Sequence, residues 1–348
     1  MKALTFRAKE DILYETVDDP IIVEPSDVIV KVSLTCICGS DLHVYYEHER
    51  GLDVGTVMGH EFVGEVVEIG KNVKSLAIGD KVMSPFTTNC GSCFYCKIGL
   101  TCRCEKGELY GWVEKGRGLH GGQAEYVRVP LADSTLEKIP DGISLEEGML
   151  LGDIISTGFF CADQAQIKPG QVHAVVGCGP VGLMTIAGAI EYGSELLFAV
   201  DSVEERLQMA KVFGAIPINF EKQDPEEVIR EYTEGRGADA VMEVVGNGSA
   251  GRLAYDIVRP GGVISTVGVC NDQHLSFSPV DAYNKNLTFK VGRCPAHFYM
   301  NKLTEVVRKH KYDFTSILTH RLPLSSGKHG YDIFANKKDN CLKVVLEP

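Results

Sequence analysis

A chain of 348 residues, with 44% hydrophobic and 24% charged side chains, is long enough for two domains and has the composition of a globular protein. Its 47 acidic residues outnumber its 35 basic residues, and the net charge of −12 argues against a nucleic-acid partner. The longest apolar runs are too short to cross a membrane, and the N-terminal residues turn charged before a signal-peptide core forms, so we expect a cytoplasmic protein without a membrane partner.

The first part of the chain is predicted to be rich in β-strands. Val28–Ser33 and Phe62–Ile69 are short, valine-rich runs typical of strands, and turns such as Gly79-Asp80 follow them. This pattern predicts a mainly β, barrel-like domain over residues 1–153.

Candidate metal ligands are spread along this first domain. Cys38, His60 and Asp153 are the residue types that a catalytic zinc uses for its three protein ligands, which leave a fourth position for water or substrate. Two negative ligands would balance the charge of the ion and still let it lower the pKa of a bound alcohol. Each assignment has an alternative, because a lone histidine is more often a packing residue, Asp153 could cap a helix, and Glu61 competes for the third position.

A second metal site is predicted in one short loop. Five of the twelve cysteines lie between Cys90 and Cys104, in a large chain without an export signal, which favours metal binding over disulfides. The spacing C-x2-C-x2-C-x7-C can close a tetrahedral structural zinc site, although Cys102 is a spare thiol that could replace the last ligand. The proposed ligands are Cys90, Cys93, Cys96 and Cys104.

From residue 154 onward the pattern alternates between strand and helix. Such alternation predicts a parallel sheet with helices on both faces, here a domain over residues 154–292. After Gly292 the pattern becomes irregular, and we expect residues 293–348 to return to the first domain. The predicted strands are Val172–Val176, Leu196–Val200, Ala240–Val245 and Val263–Val267, and the predicted helices are Val181–Tyr192 and Val203–Phe213.

A glycine-rich turn in this second domain predicts a dinucleotide site. Gly177, Gly179 and Gly182 form G-x-G-x-x-G between a strand and a helix, where helix N–H groups can meet a pyrophosphate. Asp201 ends the next strand, where it would bind the adenosine ribose and repel a 2′-phosphate, which favours NAD over NADP. Arg206, one turn further on, could offset that repulsion by swinging inward. The cofactor-binding candidates also include Pro180, Val181 and Val267.

The order of these motifs resembles a known family. CGSDLH, GHEFVGEV, the four-cysteine loop and GCGPVG follow one another as in the zinc-containing medium-chain alcohol dehydrogenases, and the likeness covers essentially the whole chain. It implies an α/β fold with a Rossmann doubly wound parallel sheet inserted into a β-rich, GroES-like catalytic domain. Gly118–Pro130 and Leu151–Gly158 are similar to the glutathione-independent formaldehyde dehydrogenase branch, whose third zinc ligand is an aspartate, as Asp153 would be.

The resemblance also implies roles for individual residues. Ser40 matches a hydroxyl that bonds the substrate oxygen, and His43 matches the outer end of a proton relay. Asp41 matches a carboxylate that orients His60, and Glu61 matches an acidic residue behind the metal that approaches it during ligand exchange. The family spacing favours Cys104 over Cys102. Further matches are Thr157 to a nicotinamide contact, Phe86 to the substrate pocket and Lys343 to a basic residue near the pyrophosphate.

The predicted function is oxidation of an alcohol to an aldehyde or ketone, with two zinc ions per chain and freely exchanging NAD as the hydride acceptor. The alternative is a polyol, sugar-alcohol or amino-alcohol dehydrogenase with the same mechanism, decided by pocket residues such as Phe86, Trp112 and Arg293. A non-catalytic NAD-binding homologue and a zinc-ribbon nucleic-acid module are less favoured readings. Relatives of this length that lack long insertions are often tetramers, so we expect a homo-oligomer and favour a tetramer.

Overall fold

The structure is a computed structural model that describes residues 1–348. The chain divides into two compact units, one formed by Met1–Ser156 with Pro295–Pro348 and the other by Thr157–Cys294. In neither unit does a helix combine the length and the apolar composition that a bilayer crossing requires.

The first unit is mainly β, with helices in its connections and in its C-terminal part. Its strands are β1 (Lys2–Ala8), β2 (Asp11–Thr16), β3 (Val28–Ile37), β4 (Phe62–Ile69), β5 (Lys81–Met83), β6 (Trp112–Glu114), β7 (Arg117–Leu119), β8 (Tyr126–Val129), β9 (Glu137–Lys138), β16 (His320–Pro323) and β17 (Val344–Glu347). Its helices are α1 (Gly39–Tyr45), α2 (Phe94–Lys97), α3 (Ala132–Thr135), α4 (Leu145–Leu151), α11 (Ala296–Arg308) and α12 (Gly327–Ala335).

The long strand β3 organises the sheet of this unit. It pairs antiparallel with β4 along most of its length, with β8 over its first half and with β17 over its last residues. Its middle residues, 30–34, alternate between buried and exposed positions, as expected for a sheet with one face on a core. Its last four residues are all buried, and Ile37 belongs to a core cluster that includes Val344 and Leu346.

The second unit is a parallel sheet with helices between its strands. The strands are β10 (Val172–Val176), β11 (Leu196–Asp201), β12 (Ile216–Asn219), β13 (Ala238–Glu243), β14 (Val258–Thr266) and β15 (Thr288–Val291). The helices are α5 (Ile154–Gln164), whose first turn belongs to the first unit, α6 (Pro180–Glu191), α7 (Glu204–Val212), α8 (Pro225–Glu231), α9 (Gly248–Ile257) and α10 (Pro279–Asn284).

The strand order of this sheet is β12-β11-β10-β13-β14-β15, and every pairing is parallel. This is the doubly wound order of the Rossmann fold: successive strands are added on one side of β10 up to β12, and from β13 onward on its other side. The predicted fold class is therefore confirmed. The irregular pattern after Gly292 predicts no particular element, whereas the structure has α11 there, a 13-residue helix whose buried face includes Tyr299, Leu303 and Val307.

The central strand β10 is buried at every position, and it carries one ionisable side chain, His173. Its Nδ1 lies 2.7 Å from the hydroxyl of Ser194, whereas its Nε2 is buried without a hydrogen-bond partner. Burial lowers the pKa of His173 to about 4, although the nearby Asp239 carboxylate acts in the opposite direction. The folded protein therefore holds this imidazole neutral.

This burial predicts acid sensitivity between pH 6.5 and 4. In the unfolded chain His173 is protonated below about pH 6.5, whereas in the folded chain it stays neutral down to about pH 4. The free energy of unfolding therefore keeps its full value above pH 6.5 and decreases by up to about 3 kcal/mol as the pH falls from 6.5 to 4. A His173→Val variant should show a flatter decline in free energy of unfolding across this window, measured by denaturant titration at successive pH values. Identical slopes in the two proteins would contradict the assignment.

Candidate active site and metal-binding clusters

The structure brings the three predicted catalytic zinc ligands together. Cys38 directly precedes α1 at the end of β3, His60 directly precedes Glu61 and β4, and Asp153 lies between α4 and α5. The ligand atoms of Cys38, His60, Asp153 and Glu61 all lie within 4.8 Å of one another, and all four residues are buried. Residues 115 positions apart in sequence thus share one point in the first unit.

The distances within this cluster fit a tetrahedral zinc ion. The Sγ of Cys38 lies 3.7 Å from Oδ2 of Asp153, and Nε2 of His60 lies 3.3 Å from the same oxygen. Zinc bonds of about 2.3 Å to sulfur and about 2.0–2.2 Å to nitrogen and oxygen place such donor pairs about 3.3–3.7 Å apart in a tetrahedron. The donor set and its spacing both fit the ion that the sequence predicts.

The imidazole of His60 is oriented by neighbours outside this set of donors. Its Nδ1 lies 3.2 Å from Oδ1 of Asp41, and the other Asp41 oxygen accepts a hydrogen bond from the backbone N–H of Cys38 at 2.9 Å. Gln123 donates to Asp41 at 3.3 Å and accepts from the hydroxyl of Tyr331 at 2.9 Å. Gln123 was missed in the sequence, because a single glutamine 82 residues from Asp41 gives no signal of that contact.

The electrostatic environment of the cluster favours a cation. Burial opposes a charge on His60, yet the Asp41 carboxylate and a hydrogen bond with Asp153 raise its pKa well above the usual range. Burial also opposes ionisation of Asp153, but hydrogen bonding to His60 and the charge of that ring hold the pKa of Asp153 well below its usual value. Burial, followed by the Glu61 carboxylate, raises the pKa of Cys38, and a bound divalent cation would favour its thiolate.

Glu61 has partners that the other three candidate ligands do not share. The ammonium of Lys343 lies 2.9 and 2.8 Å from its two carboxylate oxygens, and both side chains are fully buried. The thiol of Cys36 also donates to this carboxylate. The family resemblance predicts that Lys343 lies near the cofactor pyrophosphate, whereas the structure places its ammonium against Glu61. Cys36 was not among the predicted site residues.

Two other predicted residues of the first unit lie beside the His60 ring, and two lie further from it. The hydroxyl of Ser40 is 3.2 Å from Nε2 of His60, and the ring of Phe86 meets the His60 ring edge-on, with centroids 6.5 Å apart. His43 is half-buried in α1, and burial lowers its pKa. Trp112 begins β6 and packs against the core cluster that contains Ile37.

The four cysteines of the predicted structural site also form one cluster. Cys90, Cys93, Cys96 and Cys104 offer sulfur atoms within 4.8 Å of one another. Cys93 lies 3.5 Å from the sulfur of Cys96 and 4.0 Å from that of Cys104, close to the spacing of about 3.8 Å in a tetrahedral zinc–sulfur site. Cys102 is buried and stands outside this cluster.

The glycine-rich turn of the second unit is tight, and its geometry requires glycine at two of the three predicted positions. Gly177 has a φ of +97°, and a side chain there would meet Val245. A β-carbon at Gly182 would lie 2.0 Å from the carbonyl oxygen of Gly177, so that only glycine permits this helix–turn contact. A β-carbon at Gly179 would meet only the guanidinium of Arg206, at 3.8 Å, so this glycine leaves open space before α6. Pro180 and Val181 form the first turn of that helix.

Asp201 and Arg206 lie together at this turn. The Asp201 carboxylate accepts hydrogen bonds from the backbone N–H groups of Cys178, Ser202 and Val203 at 2.7–2.9 Å. The guanidinium of Arg206 lies 3.9 Å from Asp201. Val267 follows β14 and donates its N–H to the carbonyl of Glu243 at 3.1 Å. Thr157 lies in α5 and Arg293 is exposed near the end of the unit.

Comparison with known proteins agrees with this architecture. The pattern of the alcohol dehydrogenase GroES-like domain matches residues 24–141, and that of the zinc-binding dehydrogenases matches residues 180–308. Zinc-type alcohol dehydrogenase B of Aspergillus flavus is 42% identical over 99% of this chain and 80% of its own length. An uncharacterized zinc-type alcohol dehydrogenase-like protein of Bacillus subtilis, AdhB, is 38% identical over the full length of both chains.

A solved structure gives the same result. Alcohol dehydrogenase TADH from Thermus sp. ATN1 superimposes with a TM-score of 0.93 and 39% identity, covering 100% of this chain and 99% of that one. The family predicted from the sequence is confirmed, and the likeness to the formaldehyde dehydrogenase branch stays a prediction. The chain belongs to the zinc-containing medium-chain alcohol dehydrogenases, and it is an oxidoreductase that acts on alcohols.

Proposed function

We propose that this protein oxidises an alcohol to an aldehyde or ketone at a zinc ion held by Cys38, His60 and Asp153, with NAD as the hydride acceptor. The observation that carries the proposal is the meeting of these three donors at tetrahedral spacing, while Glu61, the fourth candidate ligand, is paired with Lys343. When bound, zinc supplies the Lewis acidity that favours the alkoxide, and NAD accepts the hydride.

The residues around the cluster would handle the proton and the substrate. Ser40, within hydrogen-bond distance of the His60 ring, is placed to accept the hydroxyl proton of a substrate and to pass it towards His43. The lowered pKa of His43 leaves its ring neutral near pH 7 and able to take up a proton. Phe86, which packs against His60, would form an apolar wall beside the reacting carbon. Asp41 would keep the His60 ring in the orientation that presents Nε2.

The choice of NAD rests on the turn of the second unit. Asp201 is held by three backbone N–H groups, so its carboxylate has a fixed position at the end of β11. There it would accept the ribose hydroxyls and repel a 2′-phosphate. Thr157 and Val267 are proposed as further contacts of the cofactor. We also propose that the four-cysteine loop binds a second zinc ion and that the protein is a cytoplasmic homotetramer. Simple alcohols, polyols and amino alcohols are the substrate classes to compare.

The catalytic proposal predicts that His60→Ala abolishes turnover. Loss of this ligand should lower kcat/KM by about 1,000-fold or more, because several kcal/mol of charge stabilisation are lost with the ion. The measurement is NADH absorbance with a panel of alcohols and polyols, together with the zinc content per chain. His120→Gln is the matched control, since that ring accepts a backbone N–H from Val57 outside the cluster. Full activity of His60→Ala after zinc removal would exclude the mechanism.

The four-cysteine cluster predicts which thiol holds the second zinc. Cys104→Ala should lose one zinc per chain and lower the thermal midpoint, because a structural zinc contributes its binding energy to folding. Cys102→Ala should keep both ions, because its sulfur stands outside the cluster. Elemental analysis and thermal unfolding of the two variants check this. The reverse result would assign the ligand role to Cys102.

The cofactor proposal predicts that Asp201→Asn changes the preference for NAD. Removing the charge weakens the ribose interaction and frees Arg206 to meet a 2′-phosphate, so KM for NAD should rise about 10-fold and KM for NADP should fall. Adding Arg206→Gln should remove the gain with NADP. Initial rates with both cofactors provide the test. An unchanged ratio of the two KM values would show that Asp201 does not face the ribose.

A further inference from the structure

Cys36 lies directly behind the proposed catalytic zinc site, although it is not one of the candidate ligands. It is fully buried near the end of β3, two residues before Cys38. Its thiol donates a hydrogen bond to the carboxylate of Glu61. A thiol is a weak donor, and burial of both groups without competing water makes this contact count for more than it would at the surface.

Strand pairing fixes the position of this contact. Cys36 lies opposite Val345 of β17, and Lys343 comes two residues before Val345, so both side chains point to the same face of the sheet as Cys36. Thr35 lies opposite Phe62 of β4, and its hydroxyl donates to the carbonyl oxygen of Glu61 at 2.8 Å. The backbone of Glu61 is therefore fixed on one side of β3.

The Glu61 carboxylate is held from two further directions. Lys343 reaches it with its ammonium at 2.9 and 2.8 Å, and the same ammonium lies 3.4 Å from the carbonyl oxygen of Ile37. Cys36 supplies the other donor to the carboxylate. These partners belong to β3 or to the residue before β17, and neither Cys36 nor Lys343 is a candidate metal ligand. The Glu61 carboxylate also forms a side-chain hydrogen bond with Asp153.

This restraint matters because the cluster contains one donor too many for catalysis. Cys38, His60, Asp153 and Glu61 offer four ligand atoms within 4.8 Å of one another, which would be enough to close a tetrahedral site. A zinc ion with four protein ligands is typical of structural sites, whereas catalysis needs three and an open position. One donor must stay out of the coordination shell during turnover.

We propose that Cys36 is a positioning residue that, together with Lys343, holds the Glu61 carboxylate behind the metal and keeps the fourth coordination position open for substrate. This inference rests on the proposed function. Lys343 neutralises the Glu61 charge, and the Cys36 thiol adds a second, directional contact that limits rotation of the carboxylate. Without the thiol, Glu61 turns towards the ion, acts as a fourth protein ligand and competes with the alcohol.

The test compares Cys36→Ala with Cys36→Ser in the zinc-loaded, full-length protein. In Cys36→Ala, zinc release from one of the two sites to a colorimetric chelator should slow about 10-fold, and kcat should fall by a similar factor, as expected when a hydrogen bond to a charged group is lost. Cys36→Ser keeps a donor and should restore both values towards those of the wild type. Release from the four-cysteine site serves as the internal reference. Circular dichroism and the thermal midpoint establish that each variant is folded.

Cys161→Ala is the matched control for loss of a buried thiol. Cys161 is fully buried in the second unit, where its sulfur lies 3.5 Å from the hydroxyl of Ser265. Its substitution should leave zinc release unchanged. A Glu61→Gln background, which lacks the competing carboxylate, should remove the effect of Cys36→Ala on both zinc release and kcat.

The outcomes separate the two proposals. A Cys36→Ala variant with wild-type zinc release and kcat, or an effect of equal size in the Glu61→Gln background, overturns the positioning role of Cys36. A Cys36→Ser variant that behaves like Cys36→Ala overturns it as well, because the donor would then be irrelevant. A wild-type chain that binds no zinc beyond the four-cysteine site overturns the proposed function itself.

Discussion

The site depends on the pairing of β3 with β4 on one edge and with β17 on the other. This arrangement sets Cys38 directly after β3, Glu61 directly before β4 and Lys343 directly before β17. Backbone ladders fix the relative positions of these residues more tightly than loops would, which suits a cluster whose donors need accuracy of about 0.5 Å. Only Asp153 reaches the cluster from a junction between helices.

The same pairing brings buried charges together, and their balance limits what the site can bind. Glu61 and Lys343 are both fully buried, and each would be costly to bury without the other. The opposite charges of this pair cancel. The remaining charges among the candidate ligands are those of the Cys38 thiolate and the Asp153 carboxylate, and together they match the charge of a divalent cation. Asp41 lies beyond His60, 3.2 Å from its Nδ1, and orients the ring without being a candidate ligand. The charges of Cys38 and Asp153 are therefore the ones that would contact the ion directly.

The sequence predicted the second unit better than the first for a physical reason. A strand such as β10, buried on both faces, and the turn after it with Gly177 and Gly182 leave local patterns that neighbouring residues complete. The helix α11 was missed even though its buried residues, such as Tyr299, Leu303 and Val307, follow the spacing of an amphipathic helix, so the signal was present in the sequence. Contacts such as that between Lys343 and Glu61, 282 residues apart, follow from register alone and leave no trace in either segment. The residue types alone likewise left Asp153 and Glu61 as rivals, and only the family resemblance favoured Asp153.

The two cysteine-containing clusters show what separates the kinds of zinc site that we propose. In the loop of Cys90–Cys104 all four sulfurs come from one short segment, and their contacts with one another are at the spacing of a closed tetrahedron. Around His60 four donors also converge, yet one of them, Glu61, is engaged by Lys343 and Cys36. The number of available ligands is therefore the same in both, and it does not decide which site is catalytic. The decisive difference is a set of hydrogen bonds from residues that never meet the ion, because they determine whether the fourth donor is available to close the shell.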